Sequence, residues 1–221
     1  MRHRLMPSRM RLAATLVAAL PAFHMQAGLE VDNNATFPES PDIVGATPDQ
    51  AYEEVRMDVP QKPRSNNRSD TSAGQSFTPS KTIKLDKVFI EYAQATDGQP
   101  ITLRILAIDD LDASTYEVGE NLLSADATYT FSADKGDVSE NERVLGLDLT
   151  GDDEITLEQG KAYVFEIVTG NDDGTIDFRW SRTGSNVPVN AEGTAYIDRQ
   201  KVTFKTENPC DFSFAIVAKQ D

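Results

Sequence analysis

From Gln75 onward, apolar residues recur at every second position in short runs. Ile83 and Leu85, then Val88, Ile90 and Tyr92, alternate on either side of Asp86-Lys87. Ile101, Leu103 and Ile105 alternate next, followed by Leu145, Leu147 and Leu149. Tyr163, Phe165 and Ile167, then Ile176, Phe178 and Trp180, and last Phe212, Phe214 and Ile216, do the same. Successive side chains of an extended strand point to opposite faces, so each run lays one apolar row toward a core. Turn residues stand between the runs, as at Gly151-Asp152-Asp153 and Gly170-Asn171-Asp172-Asp173-Gly174. The pattern predicts an all-β chain, an antiparallel β-sandwich over residues 75–221. Two packed sheets of roughly eight to ten strands suit a segment of this size. No stretch of it sustains a 3.6-residue period, and no internal repeat is visible. Phe165, Phe178, Phe212 and Phe214 are expected in the core.

Residues 28–74 differ in kind. Pro60 to Gly74 (PQKPRSNNRSDTSAG) holds nothing aliphatic or aromatic larger than Ala73. Such a stretch cannot bury enough surface to offset ordering entropy, so 28–74 is expected to be a flexible tail and linker. One short helix is expected at 48–57, with Thr47 as cap, Pro48 in the first helical position and Gln50 as capping-box partner. Ahead of the tail, Arg2, Arg4, Arg9 and Arg11 precede the apolar run Leu12 to Leu20, Pro21, and small residues at Ala22 and Ala27. That order predicts a secretory signal peptide over 1–27. It implies export to a periplasmic or extracellular compartment, with no membrane insertion once the signal is removed. Asn34-Ala35-Thr36 and Asn67-Arg68-Ser69 match the glycosylation acceptor pattern and are expected to be accidental.

The formal net charge is −15. Without residues 1–27 the counts become 17 basic against 36 acidic, a net charge of −19. A chain this acidic is repelled by nucleic acid and by anionic lipid. The same removal takes both histidines, His3 and His24, and leaves one cysteine, Cys210. No Ser-His-Asp triad, Cys-His pair or His-ligated zinc can be built from the remainder. No nucleophile elbow, phosphate loop or zincin motif is present. The sequence therefore points away from an enzyme and names no catalytic residue. An acid/base glycoside hydrolase, which needs only two carboxylates, is the one catalytic reading left. A single cysteine forms no internal disulfide. Cys210 shares parity with Phe212 and Phe214 and adjoins Asp211, so a buried, inert thiol is expected.

The order of several short pieces carries a resemblance. They are Gln75-Ser76-Phe77-Thr78, Leu85-Asp86-Lys87-Val88, Leu157 to Phe165 (LEQGKAYVF), Gly193-Thr194-Ala195-Tyr196 and Asp211-Phe212-Ser213-Phe214-Ala215. In that order the chain resembles jelly-roll modules of secreted bacterial proteins, of the galactose-binding-like or carbohydrate-binding-module kind. The resemblance implies a sandwich fold and glycan binding. Fold alone does not fix function, and such modules also serve as structural spacers. Two readings follow: a secreted, non-catalytic glycan-binding module, or a structural, surface-assembly protein that binds another exported protein. The sequence sets no oligomeric state.

Candidate site residues are few. Trp180, the one tryptophan, could stack on a sugar, yet it shares parity with Ile176 and Phe178, which favours the core. Tyr116 sits in a polar loop and is the other candidate for ligand contact. The tyrosine of Gly193-Thr194-Ala195-Tyr196 is expected to pack. Calcium takes six to eight oxygens, from carboxylates and loop carbonyls. Asp109, Asp110 and Asp112 cluster where a strand ends, and Asp211 heads the last strand. A structural calcium held by these four is the only cofactor the sequence leaves open. Asp173-Gly174 reads instead as a tight hairpin turn.

Overall fold

The computed structural model describes residues 28–44, 53–58, 72–95, 97–123, 127–135, 143–150, 155–169, 175–182, 193–202 and 210–220. For 28, 44, 53–58, 93, 94, 135, 150, 175–182, 210 and 211 it describes the backbone alone. The strands are β1 (Gly28–Ala35), β2 (Ile43–Val44), β3 (Glu53–Asp58), β4 (Ser72–Phe77) and β5 (Ile83–Ala95). They continue as β6 (Pro100–Ile108), β7 (Ala127–Thr130), β8 (Arg143–Thr150), β9 (Thr156–Leu157) and β10 (Ala162–Thr169). The last are β11 (Thr175–Arg182), β12 (Ala195–Ile197), β13 (Gln200–Lys201), β14 (Cys210–Phe212) and β15 (Phe214–Ala218). Among the described residues the regular structure is almost entirely strand, its one helical piece a 3-10 turn at Ala133–Lys135. No helix among them is long and apolar enough to cross a membrane.

Two antiparallel sheets form. A nine-stranded sheet runs β1-β8-β5-β11-β14, with β15 and β9 also on β5, β2 on β15, and β3 on β11. A six-stranded sheet runs β13-β12-β4-β10-β6-β7. The alternating rows meet in one core. Leu85, Val88, Ile90, Tyr92, Leu145, Leu147, Phe212, Phe214 and Ile216 of the larger sheet cluster with Phe77, Ile101, Leu103, Ile105, Phe165 and Ile167 of the smaller. The Phe165 and Phe214 rings meet across the gap with centroids 5.1 Å apart. Each such side chain taken fully from water contributes about 1.5–3 kcal/mol, and that burial holds the sheets face to face. β1 lies against β7, so the two sheets approach each other along that flank.

Parity calls correctly across this core. Phe165, Phe212 and Phe214 are buried as expected. Phe178 and Trp180 lie on β11, where the register sets them opposite Tyr92 and Phe212, and their side chains are outside the described residues. The strand count exceeds the expected eight to ten because β1, β2 and β3 come from the segment expected to be a tail, and β9 and β13 are two residues each, too short to show a period.

The segment expected to be a tail differs most. Gly28–Ala35 is β1, paired with β8 from Gly28↔Thr150 to Ala35↔Val144. Leu29 and Val31 pack on the core, while Glu30 and Asp32 are exposed. This is the same alternation as in the later runs, diluted by Asp and Asn. The expected helix ended at 57, yet Glu53–Asp58 pairs as β3 with β11. Glu53 to Asp58 carries β-branched Val55 between polar residues and gains its partner only in the assembled sheet. The expected linker ended at 74, yet Ser72–Phe77 is β4, the interior strand between β12 and β10, and every residue of it is buried. Both of its faces are covered, so small residues replace the alternation that marks a strand with one wet face. Residues 59–71 and the expected signal at 1–27 lie outside the described residues.

Candidate functional site

Two places on the sheets gather chemistry. The first is the outer face of the six-stranded sheet. The registers align Lys201, Tyr196, Gly74, Glu166 and Arg104 as one row across β13, β12, β4, β10 and β6. Glu166 stands between Phe165 and Ile167, so its parity turns it outward, away from the core. It is nevertheless fully buried. Segment 109–121 crosses this face as a strap and covers it. Ser76 Oγ donates to the Leu111 carbonyl at 2.7 Å, and Tyr196 Oη to the Ala113 carbonyl at 3.0 Å. Lys201 Nζ pairs with the Asp112 carboxylate. Asn121 Oδ1 accepts from the Ile105 amide at 3.1 Å, which pins the far end.

Beneath the strap, Tyr116 Oη donates to Glu166 Oε1 at 3.1 Å, and Arg199 Nε reaches the same oxygen at 2.8 Å. Arg104 Nη1 stands 3.5 Å from Glu166 Oε2. A buried carboxylate is costly unless paired, and two guanidinium groups flank this one. Tyr116 packs edge-on against Tyr196 with ring centroids 4.9 Å apart, and both join Leu106 and Val164 in a small second cluster. Burial, then the Glu166 charge, raises the Tyr116 phenol far above its ordinary range.

The second place is a groove on the outer face of the nine-stranded sheet. A cavity of about 330 Å³ is lined by Glu30, Asp32, Lys87, Phe89, Gly146 and Asp148, among others. A neighbouring one of about 470 Å³ is lined by Phe37, Glu91, Arg143 and Val144, and the two share Ala35 and Thr36. Gly146 lets its neighbours pack close at this wall: a Cβ there would stand 3.1 Å from Ala35 Cβ and 3.4 Å from Phe89 Cε1. The β1 register shifts between Asp32 and Ala35, and this bulge bends the groove wall. Lys87 Nζ pairs with Asp148 at 2.7 Å across the floor. That bond raises Lys87 above its ordinary value against the pull of desolvation, with the charges of Asp148, Asp86 and Asp32 adding to it. The groove thus offers half-buried aromatic surface from Phe89 and Phe37 beside hydrogen-bonding groups of both signs.

The residues singled out from sequence fall as follows. Tyr116 is buried, and its hydroxyl is engaged with Glu166, so its ring offers no open face for stacking. Tyr196 packs, as expected. Asp109 and Asp110 are exposed; Asp110 Oδ1 accepts from the Asp112 amide at 3.0 Å and closes its own turn. Asp112 faces Lys201. Among the described residues no group of three or more His, Cys, Asp and Glu side chains is placed to hold a metal ion. The side chains of Trp180, Asp211 and Cys210 are outside the described residues. Sequence reasoning passed over Glu166, Arg104, Lys87 and Phe89. Parity could have found them, because a strand that sends Val88 and Ile90 inward sends Phe89 outward.

Compared with protein-family models, with curated proteins and with solved structures, the chain finds no match.

Proposed function

We propose that the chain is an exported, non-catalytic glycan-binding module, a β-sandwich of the jelly-roll kind, whose ligand lies in the groove across β1, β8 and β5. The observation that carries this reading is the pairing of Phe89 with Gly146. The glycine lets the half-buried ring lie close over β8 at the wall of a cavity of about 330 Å³. Sugars present apolar C–H faces that stack on aromatic rings and hydroxyls that need donors and acceptors beside them. Lys87, Asp148, Glu30 and Asp32 supply both kinds around the ring. The resemblance to carbohydrate-binding modules and the export signal read from residues 1–27 agree with it.

A glycan array probed with residues 28–221 tests the reading. Binding to one glycan class is expected. Phe89→Ala and Gly146→Val should each weaken it by about tenfold or more while the unfolding transition stays cooperative. A silent array, or binding that survives both substitutions, would return the chain to the structural, protein-binding reading.

A further inference from the structure

The strap over the six-stranded sheet is attached in an unusual way. Between Asp109 and Leu122, Tyr116 is the only buried residue. Glu117, Val118, Gly119, Glu120 and Leu122 are all exposed, Val118 and Leu122 as large apolar side chains in water. The apolar anchorage of this stretch therefore rests on one phenol ring. The sheet beneath is shaped for that ring. Gly74 leaves a notch in the row, and a Cβ there would stand 2.8 Å from Tyr116 Oη and 3.1 Å from the Phe165 carbonyl oxygen. Tyr196 forms one wall, its plane at 88° to that of Tyr116, and Val164 lies in the same cluster. Glu166 waits at the end as a hydrogen-bond acceptor.

That acceptor is held in place at some cost. Arg199 reaches Glu166 from the turn between β12 and β13, where Asp198 and Arg199 have φ of 48° and 63°. Two consecutive non-glycine residues in the left-handed region are strained, and such strain persists only where surrounding contacts fix it. The contacts are present: the Asp198 carboxylate accepts from the Ser72 amide at 3.1 Å, and the Asp198 amide donates to the Ser72 carbonyl at 2.9 Å.

We propose that this notch is a binding site for a small neutral phenol, filled in cis by Tyr116, so that the strap acts as a tethered ligand. A free phenol would make the same three contacts: an edge-on ring against Tyr196, van der Waals contact over Gly74, and a hydroxyl donated to Glu166. Burial, then the facing carboxylate, disfavours a phenolate against the opposing pull of Arg199, consistent with the upward shift of Tyr116. Strap and phenol then compete, and an occupied notch is one from which the strap has lifted. The inference stands independently of the groove on the other sheet.

The test is chemical rescue with p-cresol in Tyr116→Ala. Millimolar p-cresol should raise the unfolding midpoint of this variant by about 3 °C or more. Toluene, the same ring without the hydroxyl, should raise it far less, and Tyr116→Ala/Glu166→Leu, which removes the acceptor, should lose the difference between the two probes. Equal effects of p-cresol and toluene, or none, would overturn the proposal. Hydrogen exchange on the unmodified protein provides a readout that does not depend on the variant folding. The Tyr116 amide donates to the Arg199 carbonyl and the Leu122 amide to the Ile105 carbonyl. Millimolar p-cresol should speed exchange at both several-fold and leave β10 unchanged. Strap exchange indifferent to p-cresol would refute competition for the notch.

Discussion

At the scale of single residues, two backbone positions separate strain from clash. Gly193 has φ of 145°, and a Cβ there would overlap the Ser76 carbonyl. The overlap falls on backbone that is itself fixed, since the Ser76 amide donates to the Thr194 carbonyl at 3.0 Å and the Thr194 amide to Ser76 Oγ at 2.9 Å. Gly98 also lies in the left-handed region, with φ of 79°, but nothing stands within 4 Å of its missing Cβ. Gly193→Ala should therefore cost about 3 kcal/mol or more, and Gly98→Ala about 1 kcal/mol, in denaturant unfolding. Equal costs would mean that φ, not contact, decides at both. Asp42 gives a pH signature. Burial works to raise its carboxyl, but the Lys81 ammonium at 2.8 Å and the Ala218 amide at 2.8 Å outweigh it, and the group lies below its ordinary value. A depressed carboxyl binds its proton more weakly in the folded chain than in the unfolded one. Its stabilisation is complete above the unfolded value of 3.8 and drains away as pH falls below it. Asp42→Asn should cost about 1 kcal/mol at pH 7, with Lys81 mostly exposed, and the cost should fade toward about pH 2. A cost that does not change with pH would remove the charge from the account.

At the scale of elements, the sequence was legible wherever a strand has one dry and one wet face. Leu145, Leu147 and Leu149 on β8 and Tyr163, Phe165 and Ile167 on β10 announced themselves by parity and are buried. It was illegible where that contrast fails. β4 is covered on both sides, by the core and by the strap, so Ser72, Ala73 and Gly74 read as linker. The strap could not be foreseen, because its attachment depends on a row of residues drawn from five strands. No local pattern in Arg104, Glu166 or Lys201 marks them as neighbours. The groove was partly legible, since Phe89 sits at outward parity, but Gly146 and the β1 bulge gain meaning only once β1 pairs with β8. β1 was within reach: Leu29 and Val31 alternate with Glu30 and Asp32, a short run hidden by its polar surroundings. Its membership of the sheet can be tested directly. Val31 lies opposite Leu147 and packs on the core, so Val31→Asp should cost about 2 kcal/mol. Glu30→Lys, on the exposed face, should stay within about 0.5 kcal/mol. Indifference to both changes would make 28–35 the tail that composition alone suggested.

At the scale of the whole molecule, the two sheets have no separate cores. β5 joins the first and last described strands: it pairs with β8, which carries β1, and with β15. The six-stranded sheet contributes Phe165 to the same cluster that holds Phe214 of the last strand. Nearly every stabilising pairing thus closes a long loop of chain, and the loop entropy is spent before the contacts form. Folding on a time scale of milliseconds to seconds is expected for such a topology. The acidic surface works against compactness through self-repulsion, so added salt should raise the unfolding midpoint modestly. The sharper expectation is cooperativity. Tyr92 and Phe131 of the shared core, with ring centroids 5.5 Å apart, cannot stay packed if either sheet detaches. Denaturant unfolding followed by far-ultraviolet circular dichroism, which reads strands, should therefore share one midpoint with near-ultraviolet dichroism, which reads aromatic packing. Loss of β14 and β15, by truncation before Cys210, should abolish both signals together, because it strips Phe212, Phe214 and Ile216 from the centre of the core. Two separated midpoints, or a truncated chain that keeps its near-ultraviolet signal, would mean that one sheet stands without the other.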